Sequence, residues 1–286
     1  MSVTSAPDQP MWLRVVHPLI RLIVLGGALL QFMIWAEGRL AQFDDRPFVS
    51  IAVQLGLALA AIMLYFAYGR FIERRDVTEL STAGIGREWA IGALIGVGLY
   101  TACAVALMLL GYYKVEGLNP VAFVLPAVAL AIKSGVFEEL IFRGVLHQSV
   151  ESLFGSWAGI LASSFVFGFL HLLNPAATMT GAIYISIEAG LLLSAAYMVT
   201  RRLWLCTGFH MGWNFVQEGI YSGVVSGGPA EPGLLKATID GPTLLTGGAF
   251  GMEQSIFALI FCTTTGVILL IIAIRRGHLL PPIWKR

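Results

Sequence analysis

The chain has 286 residues, of which 57% are hydrophobic and only 12% are charged. Soluble domains carry about 25% charged residues, so this composition excludes an ordinary soluble protein and indicates a polytopic membrane protein. The net charge of +1 gives no support for nucleic-acid binding, and we expect no nucleic acid among the partners. The three cysteines lie in separate apolar runs without a CxxC spacing, which favours small buried side chains over disulfides or zinc ligands.

A membrane-spanning helix needs about 20 mainly apolar residues, and eight stretches of the chain meet this condition. They are residues 12–36, 48–69, 89–112, 120–146, 156–173, 180–200, 203–221 and 252–274. The first ten residues, MSVTSAPDQP, are polar and lack a basic n-region, so we expect no cleavable signal peptide. The fold class predicted is all-α, a polytopic membrane helical bundle with about eight transmembrane helices, forming a single membrane domain over 1–286.

The distribution of Lys and Arg predicts the orientation, because cytoplasmic connections carry an excess of both. With eight spans, the side that holds both termini carries twelve basic residues and the other side carries four. The twelve are Arg14, Arg21, Arg70, Arg74, Arg75, Arg87, Arg201, Arg202, Arg275, Arg276, Lys285 and Arg286, and the four are Arg39, Arg46, Lys114 and Lys236. Both termini are therefore predicted to be cytoplasmic.

Two connections between the spans are long. Residues 70–88 mix basic and apolar side chains, which fits an interfacial segment and fits a solvated loop equally well. Residues 222–251 are rich in Gly and Pro. A connection of this length is often a lid or gate, and a floppy outer loop is the competing interpretation.

The fourth span contains the charged stretch GVFEELIFRG. A charged side chain at the centre of a membrane helix costs roughly 2.5–3.5 kcal/mol, so three of them need a compensating reason. Glu139 and Arg143 are four residues apart with the acid first, the favourable order for an ion pair. Glu138 points about 100° away. We therefore expect one glutamate to be neutralised by arginine and the other to face elsewhere, an arrangement that suits acid/base chemistry.

Two further spans carry polar residues at comparable depth. The fifth reads FVFGFLHLL and places His171 about as far from the turn near Phe154 as Glu138 is. The seventh carries His210 and Asn214 four residues apart, on one helical face that Glu218 continues. The depths of His210 and Glu138 agree if the polar stretch HQSVESLFGS projects into the cytoplasm. Glu188, in the sixth span, is interpreted as a neutral, hydrogen-bonded acid.

These residues form three motifs in order, Glu-Glu-x-x-x-Arg, Phe-x-x-x-His and His-x-x-x-Asn. Together they resemble the CPBP intramembrane proteases, of the Abi and Rce types, a family that includes CAAX prenyl endopeptidases and bacteriocin-immunity proteins. The resemblance covers about 120–221, which is the predicted catalytic core. The stretch GPTLLTGGAFG is similar to a common bacterial extension of the family. An integral protein of the bacterial plasma membrane is therefore implied.

The resemblance also implies roles for the motif residues, which are Glu138, Glu139, Arg143, His171, His210 and Asn214. The first glutamate would activate a water molecule, with help from the histidine of the fifth span. The second glutamate and the arginine would order the site, and the histidine and asparagine of the seventh span would stabilise the oxyanion. The expected partners are a membrane-associated peptide or protein substrate and the lipid bilayer.

The role of a metal is open at this point, because the family is often classed as metalloproteases. His171, His210 and Glu138 are the candidate ligands of zinc or another divalent metal, and they match the His₂Glu count of catalytic zinc sites. No HExxH motif occurs, and ligation would occupy the residue best suited to activate water. A metal-independent mechanism is therefore favoured. No GxSxG motif occurs either, which favours direct attack by water over an acyl-enzyme.

Two other functions compete with the intramembrane endopeptidase. A member of this family can act by binding, in bacteriocin immunity or as a scaffold, with or without proteolysis. A proton-coupled transporter could use Glu138, Glu188 and Glu218 as a relay, although no inverted repeat of the transporter kind is evident. Neither the substrate, its prenylation, nor the oligomeric state follows from the sequence.

Overall fold

The structure, a computed structural model, describes residues 11–43 and 45–286, so the expectation about a signal peptide lies outside the described residues. Among these residues, seven helices are long and apolar enough to cross a membrane, and an eighth, shorter helix, α7, extends over 204–220. The seven are α1 (Arg14–Leu40), α2 (Pro47–Ile72), α3 (Ile85–Leu109), α4 (Val121–Phe154), α5 (Ser156–Leu173), α6 (Met179–Thr200) and α8 (Ile256–Arg275).

The predicted all-α polytopic bundle is confirmed. Seven of the eight predicted spans are long, apolar helices. The span predicted at 203–221 forms α7, which is shorter than the others and is buried along most of its length. Its position explains its polarity, because side chains in the centre of a bundle contact other helices instead of lipid.

Helix α7 reaches the centre through close packing against α3. Gly92 and Gly96 on α3 face Gly208 and Gly212 on α7, and a Cβ on any of the four would overlap the backbone of the facing helix. Small residues four apart let two membrane helices approach closely, which increases dispersion contacts in a medium where the hydrophobic effect between helices is absent. His210 lies between the two α7 glycines, so this packing fixes its place in the bundle.

Helix α4 approaches α7 in a similar way. A Cβ on Gly135 would overlap the Met211 side chain, and it would lie 3.1 Å from the carbonyl oxygen of Thr207. The missing side chain therefore lets the two helices meet one turn before Glu138. This contact is what brings the first and third sequence motifs together.

The connection between α2 and α3 is not a freely solvated loop, one of the two interpretations of residues 70–88, because its acids are buried in ion pairs. Its location at the membrane interface, the other interpretation, stays a prediction. Arg75 forms ion pairs with Glu73 and Glu79, at 2.7 and 2.6 Å, and both acids are buried. The Tyr65 hydroxyl donates to Glu79 Oε1 at 2.6 Å. Burial alone raises the pKa of Glu79, but its hydrogen bonds from Arg75 outweigh that effect and hold the pKa below its ordinary value.

The stretch HQSVESLFGS is not a polar turn between two spans, and its location in the cytoplasm stays a prediction. It continues α4 as a helix to Phe154, and its polar side chains are almost completely buried. Arg201 Nη1 lies 2.8 Å from Glu151 Oε2, and the Ser156 hydroxyl donates to Glu151 Oε1 at 2.5 Å. The Glu151 carboxylate is therefore paired with an arginine far away in the sequence, a contact that the polarity of the stretch does not reveal.

The segment 222–251 is folded against the bundle, so the interpretation as a floppy loop is wrong. Two strands that the sequence analysis did not predict, β1 (Tyr113–Leu118) and β2 (Leu235–Ile239), pair antiparallel. Glu253, which follows the segment, accepts hydrogen bonds from the backbone N–H and the hydroxyl of Ser226. These contacts hold the segment beside one end of α7.

Candidate active site

Polar side chains from three helices line a single cavity of about 1260 Å³ within the bundle. Glu138 from α4, His171 from α5, and His210 and Asn214 from α7 all contribute to its wall. The two remaining residues of the three motifs, Glu139 and Arg143, are fully buried behind that wall. The structure therefore brings all six predicted site residues to one place, four at the cavity surface and two in support.

Glu139 is the centre of a buried hydrogen-bonded group. Its Oε1 accepts from Arg143 Nη1 at 3.1 Å and from His210 Nδ1 at 2.8 Å. The predicted ion pair four residues apart is confirmed, and neither side chain of the pair is accessible to solvent. The contact with His210 is new, because it joins α4 to α7 and no spacing within one helix indicates it. Since a carboxylate only accepts, Nδ1 of His210 must carry a hydrogen.

Glu138 faces the cavity instead of the interior. Its side chain is 21% exposed, against 0% for Glu139, and its Oε2 lies 3.7 Å from His210 Nε2. Helix α4 has π-helical winding over Ser134–Glu138 and again over Leu140–His147, a feature that occurs frequently at functional sites. The expectation that the two adjacent glutamates meet different environments is confirmed.

His171 is oriented by the residue that precedes it by four in the sequence. Its Nδ1 lies 2.7 Å from the carbonyl oxygen of Phe167, at the point where the α-helical part of α5 gives way to a 3₁₀ turn. A carbonyl oxygen only accepts, so Nδ1 carries the hydrogen and Nε2 is left as an acceptor. An imidazole held in this tautomer can take up a proton from a neighbouring group.

Phe167 itself packs among the other site residues. Its ring lies under the Arg143 guanidinium, with Cζ 4.6 Å from the ring centroid. The rings of His171 and His210 lie 4.9 and 5.9 Å away, centroid to centroid. The aromatic residue of the second motif therefore stabilises the buried arginine by a cation–π contact and fixes the spacing of the two histidines.

Asn214 is oriented by a residue that sequence reasoning missed. Its side-chain amide donates to the Ser134 hydroxyl at 2.8 Å, and that hydroxyl donates to the carbonyl of Leu130 at 3.1 Å. Ser134 lies four residues before Glu138, on the same helix. The spacing of four residues from Glu138 is the one sequence feature that could have indicated a role for Ser134. Serine is common in membrane helices, however, and its contact with Asn214 cannot be seen in the sequence.

Two other ionisable residues of the cavity wall differ in whether they have a partner within the described part of the chain: Lys133 is paired, and one oxygen of Glu188 is not. Lys133 of α4 forms an ion pair with Glu37 of α1 at 2.6 Å. Glu188 of α6 is 1% exposed, and its Oε2 has no hydrogen-bond partner among the described residues. The expectation of a hydrogen-bonded acid at Glu188 is therefore wrong for this oxygen.

The arrangement of the side chains does not fit the zinc alternative. Within residues 11–43 and 45–286, no group of three His, Cys, Asp or Glu side chains is placed to hold a metal ion. The three candidate ligands, His171, His210 and Glu138, share the cavity wall, and His210 Nε2 lies 3.7 Å from Glu138 Oε2. In each histidine Nδ1 is held by a partner, the Phe167 carbonyl or Glu139, and Nε2 is left free within the described part of the chain. This arrangement is common in metal-bound histidines and does not itself argue against a metal.

Comparison with known protein families adds an independent line of support. Residues 120–216 match the family described as Type II CAAX prenyl endopeptidase Rce1-like. Comparisons with curated proteins and with solved structures gave no significant match. The matched segment contains all six residues of the predicted site. The resemblance is thereby confirmed for the segment that carries the predicted site, which is similar to the Rce1-like family of CAAX prenyl endopeptidases.

Proposed function

We propose that the protein is an intramembrane endopeptidase that hydrolyses peptide bonds of membrane-associated substrates with water activated by Glu138. The observation that carries this proposal is the arrangement of a partly exposed glutamate and two histidines around one cavity inside a membrane bundle. The family match supports it, because the matched segment is that of a prenyl endopeptidase. Both termini in the cytoplasm and a bacterial plasma membrane remain part of the proposal.

Hydrolysis begins at Glu138. Its carboxylate takes a proton from a water molecule in the cavity, and the hydroxide formed attacks the carbonyl carbon of the substrate peptide bond. The acceptor nitrogen of His171, Nε2, orients this water and shares in accepting its proton. The proton then passes to the leaving nitrogen as the C–N bond breaks, so the products are a carboxylic acid and an amine.

The negative charge that develops on the substrate oxygen needs hydrogen-bond donors. One amide N–H of Asn214 is bound to Ser134, and the second is available for the oxyanion. His210 donates from Nε2 when both of its ring nitrogens carry a hydrogen, Nδ1 being bound to Glu139. A single donor of this kind commonly contributes about 100-fold or more in rate.

No step of this mechanism passes through a metal. Purified protein should keep its activity after treatment with a chelator, and elemental analysis should give well under one zinc per chain. Loss of activity on chelation, restored by adding zinc back, would contradict the metal-independent mechanism and make the two histidines ligands.

The experiment that tests the function is analysis of new protein termini. A membrane fraction is incubated with the purified protein in lipid nanodiscs, and the termini produced are compared with those from the Glu138→Gln variant. We expect a set of internal cleavages that only the wild type generates. An identical set of termini in both samples would contradict the proposal and favour the binding role. Uptake driven by a proton gradient in liposomes would favour the transporter.

A further inference from the structure

The wall of the cavity is strongly acidic. Its carboxylates come from five elements of the fold: Glu37, Glu138, Glu188, Glu218, Glu231 and Glu253. Lys133 is the only Lys or Arg among the residues that line it, and its amine is already paired with Glu37. The basic side chains of the wall are therefore too few to neutralise its carboxylates. For this reason the cavity favours a cationic ligand over a neutral or anionic one.

Two of these acids lack partners although they are buried. Glu188 is 1% exposed with an unpartnered Oε2. Glu218 is 8% exposed, and its carboxylate takes part in none of the hydrogen bonds or ion pairs formed among the described residues. Glu253 differs, because both of its oxygens accept hydrogen bonds, from Ser226 and Trp213. Burying a carboxylate without a partner is costly, so a cation brought by a ligand would gain from pairing with it.

Glu218 is the better placed of the two to meet a substrate. It lies on the same face of α7 as His210 and Asn214, four residues beyond the latter. Glu231, from the segment folded over this end of the cavity, adds a second carboxylate to the same wall. The contact between segments is direct, since the backbone N–H of Leu234 donates to the carbonyl of Gly219 at 2.7 Å.

The position of Glu218 determines how far from the cleaved bond the substrate residue that meets it would lie. Eight residues of helix separate it from His210, which is about 12 Å at 1.5 Å per residue. An extended peptide advances about 3.3 Å per residue. A substrate chain whose scissile carbonyl lies at His210 would therefore bring its third or fourth residue from the cleaved bond to Glu218.

We propose, on the basis of the peptidase function proposed above, that Glu218 is a specificity residue that binds a Lys or Arg side chain of the substrate. The basic residue lies three or four positions from the cleaved bond, on the side of the cavity covered by the 222–251 segment. Glu218 has no ion-pair partner among the described residues, and the ammonium or guanidinium group of the substrate supplies one. Glu231 adds a second carboxylate to the same part of the wall.

The test separates binding from cleavage. Apolar peptides of equal length are synthesised, with a single Lys placed at successive positions, and each has a matched peptide with Gln at that position. Binding is measured by fluorescence anisotropy to the Glu138→Gln variant, and the cleaved bond is identified by mass spectrometry with the wild type. The same peptides are tested with Glu218→Gln, and with Glu116→Gln as the control. Glu116 is an exposed acid of β1 that does not line the cavity.

We expect Lys peptides to bind about tenfold or more tightly than their Gln matches, and cleavage to fall three or four residues from the Lys. Glu218→Gln should abolish the preference, and Glu116→Gln should retain it. Equal binding of Lys and Gln peptides to the protein with Glu218 intact would overturn the inference without any variant. A preference that survives Glu218→Gln would also overturn it. Binding with the preference but without cleavage would retain the inference and remove the peptidase function.

Discussion

Glu138 and Glu139 are identical in chemistry and adjacent in the chain, yet they meet opposite environments. One lines the cavity and the other shares its Oε1 between Arg143 and His210. The spacing of four residues was sufficient to predict the ion pair. The histidine contact could not be predicted in the same way, because it depends on how closely α4 and α7 approach each other.

The buried pair makes a prediction about stability. Arg143→Ala removes the guanidinium and leaves Glu139 buried with His210 as its remaining hydrogen-bonded partner of an ion-pair type, so we expect a loss of about 3–5 kcal/mol. Glu138→Gln is nearly isosteric and changes a partly exposed side chain, so its effect should be much smaller. Thermal unfolding of both variants in detergent measures the difference. Equal melting temperatures would contradict the assignment of the pair as buried.

At the scale of elements, hydropathy located the helices but not their contacts. The spans at 48–69 and 156–173 were predicted within a few residues of α2 and α5, because lipid requires about 20 apolar residues whatever the neighbours. The extension of α4 to Phe154 and the pairing of β1 with β2 were missed. Glu151, in the extension of α4, is paired with Arg201, and the backbone of β1 is paired with that of β2. Both contacts join residues far apart in the sequence, so no local pattern predicts them.

The packing of α3 against α7 gives the prediction at this scale. Gly96→Ala places a methyl group against the α7 backbone, so the helices must separate, and His210 moves with α7. We expect a loss of stability of about 1–3 kcal/mol together with reduced peptidase activity. Gly98→Ala is the matched control, because a Cβ there meets nothing within 4 Å. Similar melting temperatures and activities for the two variants would show that this packing does not position the site.

At the scale of the whole molecule, the open question is which side of the membrane each connection faces. Counting Lys and Arg places the α2–α3 connection in the cytoplasm and the 222–251 segment outside. The structure adds that several of the counted arginines are paired with acids, as Arg75 is with Glu73 and Glu79. Orientation rules count Lys and Arg with little weight for Asp and Glu, so the expectation is unchanged.

Cysteine labelling tests this orientation. Thr82 and Ala230 are exposed, and the three native cysteines are buried and can be replaced. In that background Thr82→Cys should react with an impermeant maleimide only after the membrane is opened, whereas Ala230→Cys should react in intact cells. The reverse pattern of labelling would invert the proposed topology.

The account depends most directly on Glu138 as the group that activates water. The measurement that tests it is the turnover of the Glu138→Gln variant on a peptide that the wild type cleaves, with correct folding verified by its melting temperature. We predict a fall of about 100-fold or more, since a general base contributes roughly that factor. A folded Glu138→Gln variant that retains more than about a tenth of wild-type turnover would show that another group activates the water.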